Sequence, residues 1–245
     1  MPFNRITTIS KRTENFNEFF DSLISDVNDI LAPLQKQEYP LSDLWQDIGK
    51  NELILHRDCA FELEGVGFNL VSDKPLNGDK IIVVGKDLGE IAADTKFARI
   101  SFIQTDDVGD DQKAYNLIRK IEYAKYHYFP KGYMIRTSSG THIENIRVSK
   151  SALSQGLNFQ KAGSVLAEKY KENDAVKAVQ IVYITDKSVD FKQLEKLAAK
   201  NYDITETLNH IMQNIKFDCA ACNLKPICDE VEGMRELHFK HSGMK

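Results

Sequence analysis

Two hydrophobic periods alternate along the chain and mark out its elements. Over 13–31, Phe16, Phe19, Phe20, Leu23, Ile24, Val27, Ile30 and Leu31 recur at helical spacing, which predicts an amphipathic helix. Asn15 and Glu18 suit a capping box at its start, and Pro33 follows its end. A second short helix is expected over 41–48, around Trp45. From Cys59 the period falls to two. The run AFELEGVGFNLVS, interrupted by Gly65 and Gly67, predicts a hairpin. KIIVV (80–84) and ARISFIQT (98–105) predict strands. QKAYNLIRKIEYAKYHY (112–128) predicts a helix with Leu117, Ile118, Ile121 and Ala124 inward, stopped by Pro130 and Gly132. HIENIRVS reads as a strand, 158–171 as a helix carrying Phe159, Ala162, Leu166 and Tyr170, and KAVQIVYIT (177–185) as a buried strand. A helix follows over 190–201. Asp203 and Glu206 then fit a capping box for another, with Ile204, Leu208, Ile211, Met212 and Ile215 on its apolar side.

Strands alternating with helices predict an α/β (α+β layered) fold, a mixed β-sheet with packed helices. The expected division is a helical extension over 1–55, the α/β domain over 56–187, and a helical segment over 188–245 that carries a cysteine loop and a short helix at 229–239. With 245 residues, 42% hydrophobic and 28% charged, the chain can bury a substantial core. A net charge of −4 argues against general attraction to nucleic acid or anionic lipid. The first residues lack a signal-peptide core and no apolar run is long enough to span a bilayer, so a cytoplasmic location is expected.

In a reducing compartment, clustered cysteines point to metal or redox chemistry rather than disulfides. Three of the four cysteines, Cys219, Cys222 and Cys228, form a Cys-x2-Cys-x5-Cys loop. A Cys-x-x-Cys turn brings two thiolates onto one metal, which serves tetrahedral zinc and iron–sulfur clusters alike. Cys59, His238, His241 or an exogenous ligand are the candidates for a fourth position. Zinc would need a closed set, such as the three cysteines with one histidine, in a non-catalytic interaction module. Three other stretches read as turns or solvated loops. VGKDLGE (84–90) lacks the spacing of a phosphate loop, and TDDVGDD (105–111) does not match the calcium-loop pattern. RTSSGTH (136–142), with Arg136 and His142 at its edges, is a small-residue loop that suits an anion less well than a plain turn.

Over 79–187 the chain resembles the acetyl-CoA synthase subunit of the carbon monoxide dehydrogenase/acetyl-CoA synthase complex. The residues that carry this are DKIIVVGKDLGEI, HIENIRVSKSALSQGLNFQKAGSVLAEKYK and AVKAVQIVYITD, in the family's order, followed by a helical stretch and FDCAAC. The likeness extends over about 56–228 and is greatest to the shorter, archaeal-type subunit. It implies a [4Fe-4S] cubane bridged to nickel, with Cys219 and Cys222 matching the first two cubane cysteines and Cys228 the third. The family's QSFAP signature is replaced here by NLKP, its fourth cubane cysteine has no match after Cys228, and its distal-nickel Cys-Gly-Cys has none before Lys245. The family's tryptophan near the coenzyme A region corresponds to a position near Arg136. The resemblance therefore implies an iron–sulfur protein of anaerobic one-carbon metabolism in an accessory or electron-transfer role. A corrinoid protein or a dehydrogenase-type subunit is its implied partner. Acetyl-CoA synthesis by this chain alone is not expected.

Overall fold

The computed structural model describes residues 20–43, 45–106, 111–137 and 142–212. Its centre is a seven-stranded mixed sheet in the order β1-β3-β7-β4-β2-β6-β5. The strands are β1 (Lys36–Tyr39), β2 (Cys59–Ser72), β3 (Lys80–Val84), β4 (Thr95–Thr105), β5 (Tyr133–Thr137), β6 (Ile143–Ser149) and β7 (Val176–Ile184). β3 with β7 and β2 with β4 are parallel, and the other neighbours are antiparallel. The helices are α1 (20–31), α2 (Asp111–Ala124), α3 (Lys150–Ser154), α4 (Phe159–Lys171) and α5 (Phe191–Met212). The predicted α/β class is what forms.

Strand periodicity decides which residues meet which helices. Phe61, Leu63, Ile81, Val83, Phe97, Ile103, Val179 and Ile181 share a core with Phe159, Ala162, Val165 and Leu166 of α4. Their alternate neighbours Val66, Phe68, Leu70, Ile82, Ile100 and Val182 pack with Phe20, Leu23 and Val27 of α1 and Leu194 and Ala198 of α5. Helices thus cover both faces, which is why the central strands read as near-continuous apolar runs. α2 joins the two cores, giving Tyr115 and Ile118 to one and Leu117 and Ile121 to the other.

Four local expectations change. Residues 59–72 form one long strand rather than a hairpin. Gly65 and Gly67 serve close approach, not turning. A Cβ on Gly65 would lie 1.5 Å from the Phe97 carbonyl oxygen, and one on Gly67 would lie 2.0 Å from the Glu144 carboxylate. Among the described residues, no helix forms around Trp45. The chain there runs alongside 129–131 instead, with Ile48 N–H donating to Phe129 O (3.0 Å), Lys131 N–H to Gln46 O (2.8 Å) and Trp45 Nε1–H to Lys131 O (2.8 Å). The break expected at 201–203 is absent: α5 is continuous, so Asp203 lies inside the helix, and Asp190 Oδ1 accepts from Lys192 N–H (3.0 Å) and Gln193 N–H (3.2 Å) at its start. The polar segment KQEY, too short and too hydrophilic to read as a strand, adds β1 to the sheet edge antiparallel to β3. For α1, the predicted turns over 13–19 lie outside the described residues.

Candidate functional site

The predicted ligands Cys219, Cys222 and Cys228, with His238 and His241, lie outside the described residues. α5 is described to Met212, and 213–218 separate it from Cys219. Cys59 opens β2, half-buried, with its thiol 3.4 Å from the Phe61 carbonyl oxygen. Burial, with nearby Glu62, pushes its thiol pKa up. A shallow cavity of about 520 Å³ lies at the adjoining residues, lined by Glu52, Leu53, Ile54, Leu55, Arg57 and Asp58. Asp58 is already engaged there, accepting from the hydroxyls of Ser149 (2.5 Å) and Ser151 (3.1 Å). Among the described residues, no group of three or more His, Cys, Asp or Glu side chains could hold a metal ion.

The segments that carry the family likeness prove to be the joints of the fold. In VGKDLGE, Gly85 takes φ +99° where a Cβ would meet the Asp186 amide nitrogen at 2.5 Å. Asp87 caps the short 3-10 turn Leu88–Glu90 through a capping box with Glu90. The same Asp87 Oδ1 also accepts from the Phe159 N–H (2.8 Å), fastening the start of α4 to the end of β3. Burial raises the Asp87 carboxyl pKa, and these amide bonds oppose the rise. In RVSKS, Ser149 caps α3 and ties it to Asp58. In VYITD, Thr185 Oγ1–H donates to the Lys86 carbonyl (2.7 Å), joining the ends of β7 and β3. Asp79 before β3 accepts from the Val179 N–H (2.8 Å) and from Lys171 Nζ (2.5 Å). VGKDLGE is therefore the turn its spacing suggested.

Of RTSSGTH, residues 138–141 lie outside the described set, Arg136 is exposed in β5, and His142 is half-buried before β6. α5 crosses the sheet and brings Tyr202 beside His142, with ring centroids 6.5 Å apart. Burial lowers the His142 pKa, while Asp203 and Glu195 of the same helix pull it back up. Burial also raises the Asp203 carboxyl pKa, and burial with Glu206 takes the Tyr202 phenol to about 12. α5 thus passes beside His142, and Cys219, Cys222 and Cys228 follow it only in sequence. Of TDDVGDD, Asp106 pairs with Lys177 at 2.9 Å and 107–110 lie outside the described residues.

One polar cluster escaped the sequence reading. Arg99 in β4 faces Glu144 in β6 across β2, and both side chains are 3% exposed. The pairing is two-pronged, with Nη2 to Oε1 at 2.5 Å and Nε to Oε2 at 3.1 Å. Arg99 Nη1 also donates to Ser101 Oγ (2.7 Å), Asn69 Oδ1 (3.1 Å) and Tyr170 OH (3.3 Å). Asn69 passes the network on to Glu122 of α2 (2.7 Å), and Lys125 lies 3.4 Å from Glu122. Burial disfavours the Arg99 charge, but Glu144, together with Tyr170 and Tyr183, offsets it and holds the pKa above the usual guanidinium value. The signal was an arginine in ARISFIQT, charged inside an otherwise apolar strand.

A family model described as the CO dehydrogenase/acetyl-CoA synthase complex beta subunit matches residues 48–189, more than half of the 245. The chain belongs to that family. Membership gives it a role in the CO dehydrogenase/acetyl-CoA synthase complex, as the resemblance over 79–187 implied. A comparison with curated proteins finds no match. The family match spans β2 to β7 and the joints at Asp87, Ser149 and Thr185. No helix among the described residues is long and apolar enough to cross a membrane.

Proposed function

We propose that this beta-subunit relative is an iron–sulfur protein of anaerobic one-carbon metabolism. It holds a [4Fe-4S] cluster through Cys219, Cys222 and Cys228, with the fourth position filled by an exogenous ligand or by a side chain still to be identified. Its role is accessory or electron-transferring, beside a dehydrogenase-type subunit or a corrinoid protein. One observation carries the reading: the chain is a family member over 48–189, and the cysteine loop begins 30 residues beyond that match, from 189 to 219. Three soft thiolates in ten residues suit iron–sulfur ligation.

Anaerobic purification followed by iron, nickel and zinc analysis tests this reading. The expected result is about four irons per chain, lost on replacing Cys219 or Cys222 by serine. Less than about one iron with stoichiometric zinc would overturn it and leave a zinc-stabilised interaction module, whose fourth ligand would be His238 or His241.

A further inference from the structure

Three buried phenols converge on the α4 side of the sheet, and two of them lack a partner. Tyr133 opens β5 at one edge of the sheet, Tyr183 stands in β7 opposite Arg99, and Tyr128 follows the 3-10 turn Lys125–His127 after α2. None of the three is more than 3% exposed. The Tyr128 hydroxyl donates to the Ala162 carbonyl of α4 (2.8 Å). The Tyr133 and Tyr183 hydroxyls make no hydrogen bond among the described residues.

The rings are held where they stand. Tyr183 is stacked on Phe159, with centroids 4.5 Å apart, and Phe97 lies 6.0 Å away on the same criterion. α4 approaches so closely that a Cβ on Gly163 would lie 2.9 Å from Tyr183 Cε2. Tyr133 meets the Tyr128 ring edge-on at 6.2 Å. Tyr128 lies within electrostatic reach of the other two phenols, and all three lie within reach of Arg99. Arg99 has no donor to spare, since its N–H groups serve Glu144, Ser101, Asn69 and Tyr170. Burial raises the pKa of each phenol, so all three are neutral at ordinary pH and can both donate and accept. Buried hydroxyls are paired almost without exception, because a dry, unpaired one forfeits the hydrogen bonds it made to solvent in the unfolded chain.

We propose that Tyr133 and Tyr183 bind a single buried water, with the Tyr128 oxygen as its third contact. Tyr128 has given its proton to Ala162, so its oxygen accepts from the water, and the Tyr133 and Tyr183 hydroxyls donate to it. Three polar partners is the usual number for a buried water. Through Tyr128 and Ala162 the water links edge strand β5, central strand β7 and α4, and extends the polar layer around Arg99 and Glu144. The site is independent of the cysteine loop and of the function proposed for it.

The test is a crystal structure of the full-length chain at a resolution that shows ordered water, together with urea unfolding of the wild type, Tyr133→Phe and Tyr183→Phe. The expected density is a water about 2.5–3.0 Å from both hydroxyl oxygens, displaced or lost in Tyr183→Phe. Each phenylalanine keeps the ring and its packing, and removing a satisfied hydroxyl should raise the unfolding equilibrium constant by roughly three- to tenfold. Absence of that water from the wild type, with the two hydroxyls bonded directly to each other or left dry, overturns the proposal. So does a phenylalanine variant at least as stable as the wild type, because deleting a dry, unpaired hydroxyl stabilises a core.

Discussion

Replacing Glu144 by glutamine probes the most consequential polar contact in the sheet. The side chain keeps its shape, but Arg99 loses the one carboxylate paired with it among the described residues and faces an amide N–H₂ where one oxygen had been. The guanidinium is 3% exposed, so water cannot take over, and its other partners, Ser101, Asn69 and Tyr170, are neutral. Breaking one side of a buried pair costs about 3–5 kcal/mol, against a total stability on the order of 5–15 kcal/mol. With a urea slope of about 3 kcal/mol/M, the unfolding midpoint should fall by roughly 1–2 M. Circular dichroism reports the sheet. Trp45 fluorescence reports the α4 side, because its ring lies 4.8 Å from Lys161 Nζ and its N–H is bound to Lys131 O. The double variant Arg99→Met with Glu144→Met removes both charges, and should recover to within about 2 kcal/mol of wild type. A cost below about 1 kcal/mol for Glu144→Gln, or a double variant as unstable as the two single changes summed, would refute the account of Arg99 as a buried charge held by Glu144.

Other outcomes follow from the joints and from His142. Asp87→Ala removes two amide acceptor bonds and the cap of the 3-10 turn, and should cost about 1–3 kcal/mol in urea unfolding. Asp87→Asn keeps the oxygen and should cost much less, so equal losses would count against the joint. For His142, burial lowers the folded-state pKa, so the unfolded chain takes up a proton first as pH falls through the ordinary histidine range near about 6.5. Its contribution is therefore intact above that range and shrinks as pH drops below it. Unfolding curves between pH 7.5 and 5.5 should show this loss, and His142→Gln should flatten it; an unchanged slope would remove His142 as its source.

Much of the architecture was legible because hydrophobic period is a local property. The runs at 80–84, 98–105 and 176–184 are apolar on both faces, and that alone calls for a sheet covered on both sides. The order of DKIIVVGKDL, RVSK and VYITD was enough to indicate the family, since these stretches hold the turns and caps through which strands meet helices. Where local rules misled, a distant partner had decided the outcome. Gly65 and Gly67 look like turn residues until the Phe97 carbonyl and the Glu144 carboxylate are seen to fill the space of their missing side chains. Trp45 sits in a helix-like pattern, yet pairing with 129–131 gives its backbone and indole better partners. Asp203 looks like a cap because its four-residue signature is local, while the continuity of α5 comes from packing along β2. The Arg99–Glu144 pair joins residues 45 positions apart, and the Tyr123–Tyr126–His127 surface exists because inward burial of Leu117 and Ile121 leaves that face outside. By itself the sequence determined the class, the family and the cysteine motif, because each is written in neighbouring residues. Only the tertiary structure decided which charges are buried, which glycines are forced and which aromatic face stays exposed, because those depend on residues that meet only when the sheet closes.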